Sequence, residues 1–333
     1  RPNTGARALR IARPAPGGAP RVQRVEVDEE SAGQRLDNWL LRQLKGVPKT
    51  HVYRVIRSGE VRINSARASA DTRVQPGDVV RLPPLRLPAS AAASKPAAPA
   101  REFPVLFEDD WLLAIDKPAG VAVHGGSGVS SGVVEQLRVA RRLSGGLPRF
   151  LELVHRLDKE TSGVLLLAKK RSALAALQQQ FRTRQTVKVY TALVFGAWPR
   201  GLAVIDEPLL KSLTADGQRH VRVVSKAGDE GRRSITRVKV VQALAQTTLL
   251  DVRLETGRTH QIRVHLAHAG HPIVGDPKYG DFTRNKAFAR AQRCTRMVLH
   301  ARELSFTHPV GGQRVTLHAP LPAECATLLA ALA

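Results

Sequence analysis

The densest cluster of reactive side chains lies at 153–163, where the sequence reads LVHRLDKETSG. Seven of these eleven residues are polar or charged, and the apolar run at 164–168 follows them directly. A carboxylate at the edge of a buried strand stays ionised only where cations or hydrogen-bond donors face it. We therefore take Asp158 as a candidate reactive carboxylate, with Arg156 on the same side by strand-like alternation. The alternative is an aspartate that caps a turn or forms a surface ion pair.

A second polar stretch, ETGRTHQIRVHL at 255–266, combines a turn with a predicted helix. Gly257 permits a tight backbone turn, and Thr259 is predicted to cap the helix. Gly270 is predicted to end the helix. The inward face of the helix is predicted to carry Ile262, Leu266 and Ala269.

Two arginines at the start of that helix form a predicted anion-binding corner. Arg258 and Arg263 lie near the positive end of the helix dipole, which favours a negatively charged group. Such a corner would hold a phosphate or the Asp158 carboxylate. The alternative is that both arginines are ordinary basic residues on the surface at a helix start.

Four histidines within twelve residues raise the question of a metal site. On a helix two of them would be neighbours, but the stretch has no H-E-x-x-H pattern and no cysteine nearby. We therefore expect no metal here, and histidines that are hydrogen-bonded or contact a base. The four are His260, His265, His268 and His271.

One tyrosine lies in a predicted strand, VKVYTALV at 187–194. The alternation of a strand places Lys188, Tyr190 and Ala192 on one face. A tyrosine in such a position packs against a core or, in a nucleic-acid enzyme, stacks on a displaced base. The strand pattern alone leaves both roles open.

The charge of the chain favours a polyanionic partner. Lysine and arginine total 52 against 28 acidic residues, which gives a formal net charge of +24. An excess of this size attracts nucleic acid and releases its counterions on binding. The sequence has no apolar run of about 18 residues that would predict a membrane helix, and no apolar signal core. Cys294 and Cys325 cannot form a disulfide framework, which fits a reducing cytoplasm.

Composition divides the chain into four segments. The segment 1–33 begins with an arm, 1–24, that has six arginines and no acidic residue and is expected to be flexible. The segment 34–82 has the pattern of a compact module with helices at 36–44 and 49–57 and short strands. The proline- and alanine-rich segment at 83–101 is expected to be a linker, and the large domain is expected at 102–333.

The large domain mixes strand-like and helical patterns without regular alternation. Its strands are often consecutive, and no G-x-G-x-x-G follows the first of them. These features favour an α+β fold with a mostly antiparallel sheet over a dinucleotide-binding fold. Strands are predicted at Trp111–Ile115, Gly163–Ala168, Lys188–Val194, Arg237–Val241 and Thr247–Leu254, and helices near Val133–Leu143, Ala173–Arg182 and Thr259–Ala269.

The order RLDNWL, IRSGEVRIN and VQPGDVV within 34–82 resembles the S4 RNA-binding domain, a small α/β fold. One departure is Ser65, at a place where the S4 turn often has glycine. The resemblance implies that a basic helical face binds structured RNA. Arg35, Arg54 and Arg57 are the residues of that face expected to contact RNA.

Five longer motifs resemble the RluA family of pseudouridine synthases. In chain order they are IDKPAGVAVHGGSG, HRLDKETSG, KVYTALV, TGRTHQIRVHLAHAGHPIVGDPKYG and LHARELSFTHP. With the S4-like module in front, the chain is most similar to the RluC type, which acts on ribosomal large-subunit RNA. The resemblance covers about 34–325 and implies the pseudouridine synthase fold, with a central, mostly antiparallel mixed sheet.

This resemblance implies an isomerase that everts specific uridines of 23S ribosomal RNA. The enzyme would cleave the bond between C1′ and N1 and join C5 of the turned base to C1′. We expect no cofactor, no metal and no membrane, with ribosomal RNA as the partner and a monomer in the cytoplasm. Two alternatives remain: an RNA-binding or ribosome-assembly factor without chemistry, and an enzyme that acts on transfer RNA.

The same resemblance assigns roles to residues. Asp158 would be the essential carboxylate, either as a nucleophile at the sugar or as a base at its 2′ position. Tyr190 would stack on the base and assist removal of the C5 proton, and Arg263 would pair with Asp158. Arg156 would fill the gap left by the everted nucleotide. The expected phosphate or base contacts are Arg258 and His260, and His155 is a further residue expected to bind the RNA.

Overall fold

The structure, a computed structural model, describes residues 22–28, 31–44, 47–84, 98–125, 131–145, 150–213, 219–226 and 230–333. The chain divides into two compact units, Arg1–Ala97 and Ala98–Ala333. Most of the expected N-terminal arm, up to residue 21, and most of the expected linker, at 85–97, lie outside the described residues. No helix within the described ranges is long and apolar enough to cross a membrane.

The first unit has two helices and four short strands. The strands are β1 (Gln23–Glu26), β2 (Arg62–Ile63), β3 (Ala66–Arg67) and β4 (Val79–Leu82), and the helices are α1 (Leu36–Gln43) and α2 (Lys49–Arg57). The strands form one sheet in the order β1-β4-β2-β3. Leu36 and Leu40 of α1 and Val52 and Ile56 of α2 are buried in a shared core, as their helical spacing predicts.

The strand β1 enters the segment that the sequence predicts as a flexible arm, so that prediction is wrong for residues 23 and 24. All four residues of β1 pair antiparallel with β4. Val25 and Val27 are buried in the core of the first unit. Burying these alternating side chains offsets the entropy that the chain loses on forming the strand.

The second unit is built on one large sheet. Its strands are β5 (Val105–Glu108), β6 (Leu112–Lys117), β7 (Glu152–Leu153), β8 (Ser162–Ala168), β9 (Val187–Phe195), β10 (Val204–Asp206), β11 (Leu209–Leu213), β12 (Arg219–Val223), β13 (Ile235–Ala243), β14 (Thr247–Leu254), β15 (Leu299–Thr307) and β16 (Arg314–His318). Its helices are α3 (Val133–Leu143), α4 (Arg171–Arg182), α5 (Gln261–His268), α6 (Phe282–Gln292) and α7 (Ala323–Leu332). The predicted strands and helices of this unit are present, with ends that differ by at most one or two residues.

Ten of these strands form one sheet, with the order β10-β13-β14-β9-β15-β8-β6-β5 along its main path. The strands β7 and β16 pair with β8 and β15 at the side of this path, and β11 and β12 form a separate two-stranded sheet. Only β8 and β15 are parallel among the described strand pairs. The prediction of an α+β fold with a mostly antiparallel mixed sheet is therefore confirmed.

The strand β8 is buried over its full length, which explains its continuous apolar run. Leu165 and Leu167 pack into one apolar layer, whereas Val164 and Leu166 pack into another. The strand thus separates two cores, and full burial stabilises each large aliphatic side chain by about 1.5–3 kcal/mol. The chain segment that precedes β8 is therefore attached to a rigid part of the sheet.

Gly163 in β8 is a position where we expect a severe effect of substitution. Its φ of +109° disfavours other residues, and a methyl group there would clash with the carbonyl oxygen of Ala301, its neighbour in β15. Gly163→Ala should lower the free energy of unfolding by about 3 kcal/mol or more, measured by urea titration. Gly201→Ala is the control, because Gly201 has a φ of +87° but no atom near the added methyl. Equal losses in both variants would contradict the clash.

Candidate active site

Asp158 lies in the irregular segment between β7 and β8. The buried side chain of Leu157 anchors this segment in the core. The backbone carbonyl of Lys159 accepts hydrogen bonds from Lys117 Nζ at 3.1 Å and from the backbone N–H of Gly120 at 2.9 Å. The Asp158 side chain itself is 28% exposed. The sheet therefore holds the backbone around Asp158 while its carboxylate remains accessible from a cleft.

Lys117 is a buried residue that sequence reasoning did not assign. Its Nζ also donates to the carbonyl oxygens of Pro118 and Val121, both at 2.8 Å. Burial lowers the pKa of Lys117 to about 7, an effect that nearby Glu160 and Asp158 partly oppose. The lysine joins two loops behind the carboxylate. The only signal in the sequence is a lysine that ends the apolar strand LLAIDK.

The Asp158 carboxylate is paired with a guanidinium from α5. Arg263 Nη1 donates to Asp158 Oδ2 at 3.1 Å, although the two residues are 105 positions apart in the sequence. Arg263 is only 6% exposed. The pair that the sequence analysis expects between these residues is present in the structure. The predicted anion-binding corner thus holds a carboxylate of the protein itself.

A second carboxylate, that of Asp276, binds the other side of the same guanidinium. Arg263 Nε and Nη2 donate to Asp276 Oδ2 and Oδ1, each at 2.8 Å. Asp276 is completely buried, and its Oδ1 also accepts the backbone N–H groups of Lys278 and Tyr279. Burial pushes the pKa of Asp276 upward, but the hydrogen bonds from Arg263 and the backbone outweigh it and hold the pKa below its usual range.

Sequence reasoning missed the role of Asp276. The residue belongs to the motif GDPKYG, in which an aspartate before proline indicates a turn. The turn brings two backbone N–H groups onto the carboxylate. A turn signal alone does not reveal that the aspartate faces inward, toward a guanidinium on α5.

The start of α5 differs from the prediction that Thr259 caps it. The N-cap residue is His260, which has a left-handed backbone with φ 54° and makes no capping hydrogen bond through its side chain. The side chain of Gln261 stabilises the turn that precedes the helix, because its Oε1 accepts the backbone N–H of Arg258 at 3.0 Å. Thr259 is exposed. The predicted helix end is confirmed, because α5 stops at His268 and Gly270 has a φ of +84°.

His260 lies between Asp158 and Tyr279. Its Nε2 is 3.8 Å from Asp158 Oδ1, and its Nδ1 is 2.7 Å from the hydroxyl of Tyr279. That hydroxyl also accepts the backbone N–H of Val221 in β12. Burial lowers the pKa of His260, against the opposing effect of Asp158. A neutral imidazole at this position can donate a hydrogen bond to a polar group of a bound molecule or accept one from it.

Tyr190 in β9 is 9% exposed and lines the same cleft. Burial and the negative charge of Asp158 raise the pKa of Tyr190 well above its ordinary value. The phenol therefore remains protonated at neutral pH. This favours a flat stacking surface with a hydroxyl donor and disfavours a phenolate that accepts a proton.

The cleft has a volume of about 330 Å³ and brings together all seven residues that the sequence analysis places in the site of the large domain. They are His155, Arg156, Asp158, Tyr190, Arg258, His260 and Arg263. Arg156 is exposed, as a residue that reaches into solvent or RNA must be. Arg258 is half-buried, and its Nε donates to the carbonyl of Arg233 at 3.4 Å.

His155 has partners within the protein that set its position. Its Nε2 accepts the backbone N–H of Leu166 in β8 at 3.1 Å, and its ring stacks on Phe181 at 5.0 Å. Burial and the charge of Lys188 lower the pKa of His155 to about 4, so the ring is neutral. The geometry favours a supporting role in the cleft wall over the RNA contact expected for this histidine.

The three arginines expected to bind RNA in the first unit are exposed. Arg35 forms an ion pair with Asp37 at 2.8 Å, which reduces the charge it presents. Arg54 and Arg57 lie on α2, where Arg54 is 3.3 Å from the ring of His51. The helix has no acidic residue in its first turn.

The clustered histidines do not converge on one point. His265 is bonded to the Thr236 hydroxyl at 2.9 Å and to the Glu207 carbonyl at 3.0 Å. His271 is bonded to the Phe195 carbonyl at 2.9 Å. Within the described ranges, no group of three or more histidine, cysteine or acidic side chains is arranged to hold a metal ion.

Comparison with known proteins agrees with this geometry. A family model described as RNA pseudouridylate synthase matches residues 111–268, and an S4 domain model matches residues 34–80. The ribosomal large subunit pseudouridine synthase C of Yersinia pestis is 47% identical over 319 residues, which cover 94% of this chain and 96% of that protein. The protein of the same name from Escherichia coli (strain K12) is 47% identical over 309 residues, which cover 91% and 94%.

The fold has solved relatives as well. The structure of Human RNA Pseudouridylate Synthase Domain Containing 4 matches with a TM-score of 0.56 and 28% identity, and the match covers 69% of this chain and 92% of that one. These likenesses confirm the pseudouridine synthase fold and the S4 domain that the sequence motifs imply. The likeness to the two bacterial proteins extends over nearly the whole of each. The chain belongs to the RNA pseudouridylate synthase family.

Proposed function

We propose that the chain converts specific uridines of 23S ribosomal RNA to pseudouridine. The observation that carries the proposal is the Asp158 carboxylate, held by buried Arg263 in a cleft that Tyr190 also lines. The two bacterial relatives are named as synthases of the ribosomal large subunit. The net charge of +24 suits so large a polyanion.

The proposed reaction begins with eversion of the uridine into the cleft, which costs a few kcal/mol of stacking and pairing. Basic contacts and stacking on Tyr190 offset this cost. Arg156 is exposed at the edge of the cleft, and we assign it to the gap that the everted nucleotide leaves in the RNA. Arg258 and His260 would contact the nucleotide on the side of α5.

The bond changes balance within one nucleotide. The C1′–N1 bond breaks, the uracil turns and a C5–C1′ bond forms. The proton on C5 is lost to water and N1 takes up a proton, so the nucleotide has the same atoms before and after. Asp158 acts either as a nucleophile at C1′ or as a base at the 2′ position. The hydroxyl of Tyr190, which stays protonated, serves in our proposal as a stacking and positioning group rather than as the acceptor of the C5 proton.

Substitutions of Tyr190 should separate its ring from its hydroxyl. Tyr190→Phe keeps the stacking surface, so KM for RNA should change by less than about threefold. Tyr190→Ala removes the surface, and a loss of 1–3 kcal/mol of stacking should raise KM at least about fivefold. Steady-state kinetics of tritium release from [5-³H]uridine-labelled RNA measures both. A larger KM for the phenylalanine variant than for the alanine variant would overturn the stacking role.

The target is tested by offering purified protein three labelled RNAs: 23S ribosomal RNA, 16S ribosomal RNA and transfer RNA. Tritium release from the 23S species alone supports the proposal. Release from transfer RNA would favour the alternative target, and no release with tight RNA binding would favour an assembly factor. Mapping pseudouridines in ribosomal RNA from cells that lack the protein identifies the modified positions.

The first unit is assigned to RNA binding in this scheme, because its sequence matches an S4 domain and α2 presents exposed Arg54 and Arg57. We further propose the domain limits 34–82 for this module and 102–333 for the catalytic domain. We propose action as a monomer, with all seven cleft residues supplied by the second unit. A ribosomal RNA target implies a cytoplasmic location.

A further inference from the structure

Lys188 is a cleft residue that the proposed reaction has not yet used. It precedes Tyr190 by two positions in β9, so the two side chains share one face of the strand, about 6.6 Å apart along it. Both line the cleft that contains Asp158. Lys188 Nζ lies 3.9 Å from the position that a Cβ atom would take on Gly257, and 5.9 Å from the ring centre of Phe181. The ammonium group therefore points across the cleft toward the turn that precedes α5.

Among the residues that the structure describes, no carboxylate pairs with this ammonium group. The charged or titratable groups that affect it are Arg184, which is cationic, and His155, whose pKa of about 4 keeps it neutral. Over the described ranges, the side chain of Lys188 makes no salt bridge and no hydrogen bond, and only its backbone pairs, with β15. Asp158, the carboxylate of the cleft, is bound to Arg263 and close to His260 instead.

A half-buried ammonium group without a counter-charge is unfavourable in the free protein. Burial, together with the positive charge of Arg184, lowers the pKa of Lys188 to about 8. A bound anion would remove this penalty and restore full protonation. Every nucleotide of RNA carries such an anion.

We infer that Lys188 is a substrate-binding residue that donates a hydrogen bond to a backbone phosphate of the RNA next to the everted uridine. This inference rests on the proposed function. If Tyr190 stacks on the base, a group one strand repeat away faces the sugar-phosphate backbone rather than the base edge. Lysine binds phosphate as a point charge, which tolerates the varied geometry of a bent RNA strand.

The test compares Lys188→Met and Lys188→Arg with the wild type, and Lys239→Met is the matched control. Lys239 is an exposed lysine in β13, so its loss removes one surface charge only. Lys188→Met should raise KM for 23S RNA at least about tenfold, because a charged hydrogen bond is lost. Its kcat should remain within about threefold of the wild type. Lys188→Arg, which keeps a cation, should recover most of the affinity.

The pH profile provides a second readout. Above about pH 8 Lys188 loses its proton in the free enzyme, so KM of the wild type should rise several-fold between pH 7.5 and 9. The arginine variant stays charged, so its KM should remain flat over this range. Titration of the RNA itself affects both proteins equally and therefore cancels in the comparison.

Four results bear on the inference. If Lys188→Met has the same KM as the Lys239→Met control, the inference is overturned. It is also overturned if Lys188→Met loses kcat while its KM is unchanged, because Lys188 would then act in the reaction step rather than in binding. If Lys188→Met does not fold, as judged by circular dichroism, the pH profiles of wild type and Lys188→Arg decide, and parallel profiles refute the inference. A wild type that modifies no RNA refutes the proposed function instead.

Discussion

Asp158→Ala is expected to reduce tritium release from [5-³H]uridine-labelled 23S RNA by at least about a thousandfold, because the group that attacks or deprotonates the sugar is gone. The fold should survive this change. Arg263 keeps its two hydrogen bonds to Asp276, so no unpaired buried charge results. The circular dichroism spectrum should therefore match that of the wild type. The free energy of unfolding, measured with urea, should lie within about 1 kcal/mol of the wild-type value.

The control for this variant is Glu160→Ala, which removes a carboxylate two residues along the same loop. Glu160 forms only a long, exposed pair with Lys159 Nζ at 4.0 Å, and its charge also favours protonation of Lys117, so a modest loss of stability is expected. This variant should keep most of its activity. Equal activity of Asp158→Ala and wild type, with both proteins folded, would refute the catalytic assignment of Asp158.

Asp276→Asn should impair both stability and activity. The change leaves Arg263 buried with one negative partner fewer, and it places an amide N–H where the guanidinium needs an acceptor. Breaking a buried ion pair in this way costs about 3–5 kcal/mol. Arg263 also loses the contacts that aim Nη1 at Asp158, so kcat should fall about a hundredfold. Urea unfolding gives the first quantity, and tritium release well below the melting temperature gives the second.

A nearby aspartate offers a matched control for this substitution. Asp281 accepts the backbone N–H of Arg284 at 2.9 Å as the N-cap of α6. Asn is nearly as good a cap as Asp, so Asp281→Asn should change stability by less than about 1 kcal/mol and leave kcat intact. A loss of stability in Asp276→Asn no larger than in this control would show that Arg263 does not depend on the buried carboxylate.

Local patterns were sufficient to predict about half of the elements. The i, i+4 spacing of Leu36 and Leu40 predicts α1, and the apolar run of β8 predicts a buried strand, because both depend on residues close in sequence. The order of strands in the large sheet could not be predicted in this way. The parallel pairing of Ser162 with His300 joins segments 138 residues apart, and no periodicity within either segment encodes it.

In the site, too, some contacts could be predicted from the sequence and others could not. The ion pair between Asp158 and Arg263 could be expected because both residues lie in long motifs of a known family. The buried contact of Arg263 with Asp276 was missed, because it depends on how a turn packs against α5. The prediction of a Thr259 cap was wrong because α5 begins at Gln261, which makes His260 its N-cap residue. The left-handed backbone of His260, which sets this start, has no signal in the residue types.

The guanidinium shared by two carboxylates has an electrostatic consequence for the reaction. Asp158 and Asp276 contribute two negative charges and Arg263 one positive charge, so the three side chains together sum to minus one. Cleavage of a glycosidic bond develops positive charge on the sugar ring, as in an oxocarbenium ion. Because Asp276 already neutralises the arginine, the field of Asp158 at the anomeric carbon is not cancelled. In the proposed reaction, the net negative charge of these three side chains would stabilise the sugar cation, within a cleft that Arg156, Arg258 and Lys188 also line.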